Sequence, residues 1–341
     1  MQDVTLIGID LGKHIFHVHG QDKHGRELLR KKFSRKQMME FFANLQPCTV
    51  VMEACAGAHY VARQLIGFGH DAKLISPQFV RPFVKTNKND YVDAEAICEA
   101  ASRPSMRFVT PKNEAQQTLS ALHRVRESLV HDRTKVRNQI HAFLLEFGIS
   151  LPIGHAAIRR LPSTLADHEL PPRLVAVLER LHTHFRYLDE QVDAIEKDLT
   201  AQLADDDLGQ RLLTIPGIGP ITASVLASEM GDGKQYRCGR DFAAAVGLVP
   251  RQHSTGGRSN LMGISKRGDK NLRRLLVQCA RTYMLRVEGK SGQLADWVRS
   301  MLTRRHSNVV ACALANKLAR TAWAIAARHT TFETKRSLMQ A

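Results

Sequence analysis

The chain has 341 residues, of which 43% are hydrophobic, and a net charge of +16. This hydrophobic content supports folded cores and excludes a disordered protein, and the length predicts two or three domains. No apolar run approaches the roughly 18 residues of a membrane span, and the N-terminus enters a strand directly, so neither a membrane anchor nor a signal peptide is expected.

The positive charge is concentrated at one end of the chain. Residues 234–341 carry 21 Lys or Arg against 5 Asp or Glu, an excess equal to the whole net charge. Such a surface predicts a nucleic-acid partner, with an anionic membrane surface as the alternative. The six cysteines are scattered without a Cys-x-x-Cys pair, which predicts reduced thiols and a cytoplasmic, nucleoid-associated protein rather than a zinc ribbon.

Strands and helices alternate in the first 112 residues. Short apolar or β-branched stretches predict strands at 6–10, 15–19, 27–33, 49–53 and 71–76. Helical spacing predicts helices at 36–45, at 57–68 and from Asn89 or Asp90 onward. The alternation indicates an α/β domain, residues 1–112, with a partly parallel sheet.

The middle of the chain is predicted to be helical. A long pattern runs over 114–147, prolines break it, and apolar residues then follow a strict 4-3 alternation over 174–199. About four heptads of this kind predict a coiled-coil seam, and a projecting arm or dimer contact is favoured over a core helix. Residues 113–206 therefore form the predicted coiled-coil insertion.

The last part, residues 207–330, is predicted to be an all-α domain, followed by a disordered tail at 331–341. Gly217 and Gly219 precede an Ala-rich helix and resemble a helix-hairpin-helix turn, whose N–H groups can bind a DNA phosphate. A simple tight turn is the alternative. Residues 251–268 are interpreted as a polar, basic, Gly-rich loop, and amphipathic helices follow it.

Four carboxylates stand out in the first domain. Asp10 and Glu53 end two predicted strands, and Asp90 and Asp93 share one face of a predicted helix. Crowded acids repel one another unless a cation lies between them, and carboxylate oxygens are the ligands that Mg²⁺ prefers. A pair of such ions can stabilise both oxygens of a phosphoryl displacement. The set therefore predicts a metal site for phosphodiester chemistry.

These segments carry a family resemblance over residues 4–328. Gly8–Asp10, Met52–Ala54 and Asn87–Ala94 resemble the Asp–Glu–Asp–Asp set of an RuvC-like domain with the RNase H fold. Pro216–Gly219, Phe242–Pro250 and Ser254–Gly268 resemble the C-terminal domain of DEDD-type insertion-sequence transposases, the bridge-RNA-guided recombinases.

The resemblance implies a mechanism and partners. The carboxylates would hold Mg²⁺ or Mn²⁺, and a serine nucleophile would reach them from another protomer of a dimer or tetramer, forming a covalent DNA intermediate. A structured guide RNA would pair with donor and target double-stranded DNA. Candidates for nucleic-acid binding are Lys88, Gly217, Gly219, Arg251, Arg258, Lys266 and Arg267.

The position of the nucleophile depends on the register of one segment. Counting back from Ser265-Lys266 points to Ser254, whereas counting forward from Pro250 points to Thr255. The primary hydroxyl is less hindered than that of a β-branched residue, which favours Ser254.

Three other functions are weighed against this one. A sugar-kinase or actin-like ATPase would share the Gly8–Gly12 turn but requires a second phosphate loop, which Asp207–Gly209 matches weakly. An RuvC-like Holliday-junction endonuclease would use the four acids without a serine adduct. A non-catalytic scaffold would not need the acids. Only 6% of residues are aromatic, so backbone-directed binding is expected rather than base stacking.

Overall fold

The computed structural model of the protein describes residues 3–84 and 89–333. The chain divides into two compact units, Met1–Ala115 and Gln116–Ala341, and each is described by itself. The second unit contains both the predicted arm and the C-terminal helices. The finer predicted boundaries at 112, 206 and 330 stay predictions.

The first unit is built on a six-stranded mixed sheet. Its strands are β1 (Leu6–Leu11), β2 (Ile15–Gln21), β3 (Glu27–Ser34), β4 (Thr49–Glu53), β5 (Asp71–Ile75) and β6 (Phe108–Val109). The strand order is β3-β2-β1-β4-β5-β6. The first three strands form an antiparallel meander, β1, β4 and β5 are parallel, and β6 is antiparallel to β5. The predicted α/β sheet is confirmed.

Helices cover both faces of this sheet. They are α1 (Arg35–Ala43), α2 (Ala58–Gly67), α3 (Pro77–Val80), a single 3₁₀ turn at Arg81–Phe83, and α4 (Asp90–Ala101). Ser34 and Gln37 form a capping box that starts α1 directly after β3. The inward-facing Ile7, Ile9 and Met52 belong to the core that includes α1 and α2. Val51 and Ile75 point to the other face and pack with α3 and α4.

The rest of the chain is mainly helical. Its helices are α5 (Glu114–Leu145), α6 (His155–Arg159), α7 (Leu161–Ala166), α8 (Pro172–Ala204), α9 (Asp207–Leu213), α10 (Pro220–Met230), α11 (Gly239–Ala245), α12 (Lys270–Leu285), α13 (Gln293–Leu302) and α14 (Ser307–Arg328). Two strands, β7 (Pro250–Thr255) and β8 (Arg258–Ile264), form an antiparallel hairpin. The prediction of an all-α domain with a loop at 251–268 is therefore wrong at this segment.

The 4-3 seam of α8 is buried within the chain. Leu178, Phe185 and Leu188 pack in one core with Val136 and Ile140 of α5. Two charged contacts join the same helices: Arg126 Nε lies 2.7 Å from Glu196, and Arg133 pairs with Asp189. The periodicity marks a helix–helix seam, but its partner is α5 of the same chain. A dimer contact through this arm stays a prediction.

Helix α14 is long and apolar enough to cross a membrane by length and composition, although no such run was predicted. Half of its most apolar window is buried inside the protein. Val310, Leu314 and Leu318 belong to the core formed with α10 and α12. Its apolar character is therefore that of a central core helix.

Candidate active site

Two of the predicted acids leave neighbouring parallel strands at the same edge of the sheet. Ile9 of β1 pairs with Met52 of β4, so Asp10 and Glu53 follow at adjacent positions. Side chains alternate along a strand, and Gly8 and Val51 face α4. Asp10 and Glu53 therefore face the helix layer that carries the other two acids.

Helix α4 lies directly against β1 because residue 8 is glycine. A Cβ at Gly8 would collide with the carbonyl oxygen of Ala94 and would lie 2.9 Å from Cys98 Sγ. The Cys98 thiol also donates to the carbonyl oxygen of His19, at 3.4 Å. This close approach brings the start of α4 to the end of β1.

The first turn of α4 presents Asp90 and Asp93. The Asn89 side chain accepts a hydrogen bond from the Tyr91 N–H at 3.1 Å, and the Asp93 N–H donates to the Asn89 carbonyl at 3.0 Å. The N-terminal end of a helix favours negative charge. Asn89 is therefore the N-cap, one of the two predicted candidates, and Asp90 begins the helix.

The structure brings Asp10 and Asp90 together. One ligand atom from each lies within 4.8 Å of the other and of a ring nitrogen of His17. Burial, followed by the negative charges of Glu53 and Asp10, raises the pKa of the Cys55 thiol. Glu53 ends the neighbouring strand β4 and is not part of this group of three. Asp93 lies half-buried in the same helical turn as Asp90.

The donor set fits a divalent cation. Carboxylate oxygens and a neutral imidazole nitrogen are ordinary ligands of such ions, and two carboxylates and one imidazole meet here. A divalent ion held here would supply positive charge to the oxygens of a phosphodiester during displacement.

Ser254 lies on the exposed hairpin of the second unit. It pairs with Ser259, and Thr255 pairs with Arg258 across a two-residue turn, Gly256–Gly257. Both glycines have positive φ, +55° and +74°, as a primed turn requires. Gln252 Nε2 donates to Ser254 Oγ at 2.7 Å. Because side chains alternate, Ser254 and Gln252 share one face, whereas His253 and Thr255 share the other.

Arg273 anchors the base of the hairpin. Its Nη1 contacts the carbonyl oxygens of Val246 at 2.8 Å and Arg267 at 2.9 Å. The Ser265 and Lys266 N–H groups donate to the carbonyls of Val249 and Gly247. Lys266 takes up φ +57°, and Gly268 packs so closely that an added Cβ would collide with the Ala245 carbonyl. The hairpin therefore projects from a fixed base.

The predicted nucleic-acid contacts fall into three groups. Arg251, Arg258, Lys266 and Arg267 are exposed on the hairpin or at its base. Gly217, with φ +90°, and Gly219, the N-cap of α10, lie in the turn between α9 and α10. Lys88 lies outside the described residues. Phosphate binding by these residues stays a prediction.

Comparison with known proteins decides the family. The model of DEDD transposases of the IS110 type matches residues 7–149, and the model described as "Transposase IS116/IS110/IS902 family" matches residues 209–295. The transposase for insertion sequence element IS1328 of Yersinia enterocolitica is 66% identical over 97% of this chain and 99% of its own length. The chain belongs to the IS110 family of transposases.

Two further relatives extend the similarity across the whole length. A probable family 20 transposase of Pseudomonas aeruginosa is 46% identical over 97% of this chain and 99% of its own. The transposase for insertion sequence element IS1111A of Coxiella burnetii is 40% identical over 97% and 92%. This chain is thus an insertion-sequence transposase, an enzyme that binds, cleaves and transfers DNA, and the kinase-like alternative is set aside.

Sequence reasoning missed two residues of this transposase. His17 reaches the acids only because the β1–β2 register places it opposite Asp10. Pairing the residues on either side of the Gly12–His14 turn, Leu11 with Phe16 and then Asp10 with His17, could have identified it from the sequence. Arg273 was one of many arginines in a basic helix, and nothing in the local sequence marks it as the anchor of the hairpin.

Proposed function

We propose that this transposase cleaves and exchanges DNA strands with two sets of groups. Asp10, Glu53, Asp90 and Asp93 hold one or two divalent ions, Mg²⁺ or Mn²⁺, and Ser254 forms a covalent bond to DNA. The observation that carries the proposal is the convergence of Asp10 and Asp90 at one sheet edge, in a domain matched by the DEDD model.

The hairpin geometry supports Ser254 as the nucleophile. Its Oγ would bond to phosphorus while the bond from phosphorus to a deoxyribose oxygen breaks, and the serine proton ends on that leaving oxygen. The Gln252 amide donates to Oγ and would stabilise negative charge that develops there. The adjacent His253 lies on the opposite face of the strand, so it is not assigned as a base.

Exposure is the second support for this assignment. Every residue of β7 is exposed, and the Gly256–Gly257 turn has no side chains to obstruct a phosphate. A nucleophile on such a projection suits a composite site, in which one protomer of a dimer or tetramer supplies the serine and another supplies the acids.

The covalent step is tested with end-labelled donor DNA and denaturing electrophoresis. Wild-type protein is expected to give a protein–DNA adduct, Ser254→Ala to give none, and Thr255→Ala to retain it. An adduct lost only in Thr255→Ala would move the nucleophile by one residue. Cleavage without any adduct in wild-type protein would favour the hydrolytic, Holliday-junction type of reaction.

RNA guidance is proposed as the source of sequence specificity. The basic C-terminal region supports backbone-directed binding of nucleic acid, and base pairing would then select the target. Sequencing the RNA that co-purifies with the protein tests this. A discrete structured species encoded beside the transposase gene is expected, and bulk cellular RNA would contradict RNA guidance.

A further inference from the structure

We propose that His17 is a metal ligand in addition to the four acids, so that the site binds its ion through nitrogen as well as oxygen. The inference rests on the proposed function, because it concerns the same ion as Asp10 and Asp90. It extends that function by adding a histidine ligand on β2 and by predicting which divalent ion the site prefers.

The backbone holds His17 opposite Asp10. The two residues are paired across the antiparallel β1–β2 ladder, so their side chains leave the same face of the sheet at neighbouring positions. Asp90 comes to the same place from the first turn of α4. Three separate elements therefore deliver one donor atom each.

The donor atoms are near enough to share an ion after a small shift of the exposed Asp90 side chain. His17 Nδ1 lies 3.6 Å from Asp90 Oδ2, which is too long for a hydrogen bond between them. Adjacent ligands of a six-coordinate ion with bonds of about 2.1 Å are about 3 Å apart, and opposite ligands about 4.2 Å. The observed 3.6 Å lies between these values, and all three donor atoms fall within 4.8 Å.

The imidazole is held by a stack of side chains. The Tyr91 ring meets it edge-on, with centroids 4.6 Å apart, and the Arg30 guanidinium lies 4.7 Å from the centroid of Tyr91. The His17 side chain is 13% exposed, against 59% for Asp90. A packed, shielded ring is oriented in advance, as supporting contacts do for metal-binding histidines.

A nitrogen ligand changes which ion binds best. Imidazole suits transition ions, whereas Mg²⁺ prefers oxygen and water. The site should therefore favour Mn²⁺ over Mg²⁺ more strongly than a site made of carboxylates alone. Replacing His17 by Gln should remove that preference while leaving the acids in place.

The test measures metal binding directly, on the full-length protein and without a cleavage assay. Mn²⁺ is titrated with and without competing Mg²⁺, free Mn²⁺ is counted by electron paramagnetic resonance, and pulsed measurements detect ¹⁴N coupled to bound Mn²⁺. His17→Gln is compared with His14→Gln, which alters an exposed histidine in the turn of the same hairpin. Asp10→Asn reports on the site as a whole.

Wild-type protein and His14→Gln are expected to show the nitrogen coupling, and His17→Gln to lose it. His17→Gln should also weaken Mn²⁺ binding by about tenfold or more, with a smaller change for Mg²⁺. If wild-type protein binds Mn²⁺ without nitrogen coupling and His17→Gln binds it equally well, His17 is not a ligand, but the carboxylate site remains supported. If Asp10→Asn does not weaken Mn²⁺ binding, the carboxylate site itself is wrong.

Discussion

The acids and the serine are presented by opposite kinds of structure. Asp10 and Glu53 follow the fully buried Ile9 and Met52 in the middle of a six-stranded sheet. Ser254 is on a two-stranded hairpin whose strands are exposed almost throughout. In the proposed function, a buried framework would hold the acids around an ion, and an exposed projection would bring the serine to a large substrate. Substitutions of the acids or of Ser254 should therefore change reactivity, whereas substitutions in the packing beneath either region should change stability.

Asp10→Asn should have the largest effect on strand cleavage. It should lower cleavage without lowering the stability of the first unit. Loss of one ligand is expected to lower strand cleavage by roughly 10³-fold or more, since a bound ion contributes several kcal/mol to such a reaction. The unfolding free energy without metal is measured beside cleavage, so that loss of activity with the fold retained identifies loss of the ligand. Labelled-DNA cleavage and urea titration provide the two measurements.

The control for this variant is Asp71→Asn. Asp71 begins strand β5, at the sheet edge opposite to the acids, and its carboxylate pairs with Lys73 at 2.7 Å. Its cleavage should match that of wild-type protein. Equal losses in both variants would mean that the sheet, and not the site, is sensitive to charge.

Gly8→Ala should damage the framework by packing alone. The new methyl group would meet the Ala94 carbonyl and Cys98, pushing α4 away from β1. Overpacking of this kind costs about 1–3 kcal/mol of unfolding free energy, and cleavage should fall with it because Asp90 moves. Gly67→Ala is the matched control: its Cβ would meet open space at the end of a helix, so stability should hold or increase. Unchanged stability in Gly8→Ala would show that α4 can shift freely.

Arg273→Ala should loosen the hairpin at its base. The guanidinium contacts to the Val246 and Arg267 carbonyls are lost, at a cost of about 1–2 kcal/mol. Hydrogen exchange at the Ser265 and Lys266 amides should become faster. Arg274→Ala removes a neighbouring arginine that contacts Asn271 at 2.6 Å and Glu127 at 3.9 Å instead of the hairpin base, and it should leave those amides as they were.

Leu261→Ser should have the smallest effect. The side chain is 62% exposed on β8, so the unfolding free energy should change by no more than about 0.5 kcal/mol. Ile264→Ser, on the same strand but packed against the core of the second unit, should cost clearly more. A large loss in Leu261→Ser would contradict the description of the hairpin tip as a free projection.

The sequence predicted the framework better than the hairpin, for a physical reason. The β-branched strand 49–53 and the Asn89 cap are local patterns, and the structure reproduces both. In contrast, β7 and β8 are exposed and polar, so they lack the apolar alternation that usually marks strands. The paired Gly256–Gly257 was the available signal, since two glycines between short segments are typical of a tight hairpin.

The sequence also did not show which distant segments pack or pair with each other. The heptads of α8 correctly indicated a seam, but periodicity does not identify the helix on the other side, and α5 lies there. His17 was missed for the same reason, because its importance depends on a register across a turn. The four acids could be proposed from local patterns because each lies at a recognisable strand end or helix start, and the structure brings Asp10 and Asp90 together.

The internal seam between α5 and α8 predicts how folding and oligomerisation depend on protein concentration. A chain whose long helices are buried against each other needs no second copy to fold, so its melting temperature should not vary with protein concentration. Any oligomer would then form from chains that are already folded. If the serine and the acids of one site come from different protomers, as proposed, such monomers would be folded but catalytically incomplete. Transposition would consequently rise more steeply than in proportion to the amount of protein.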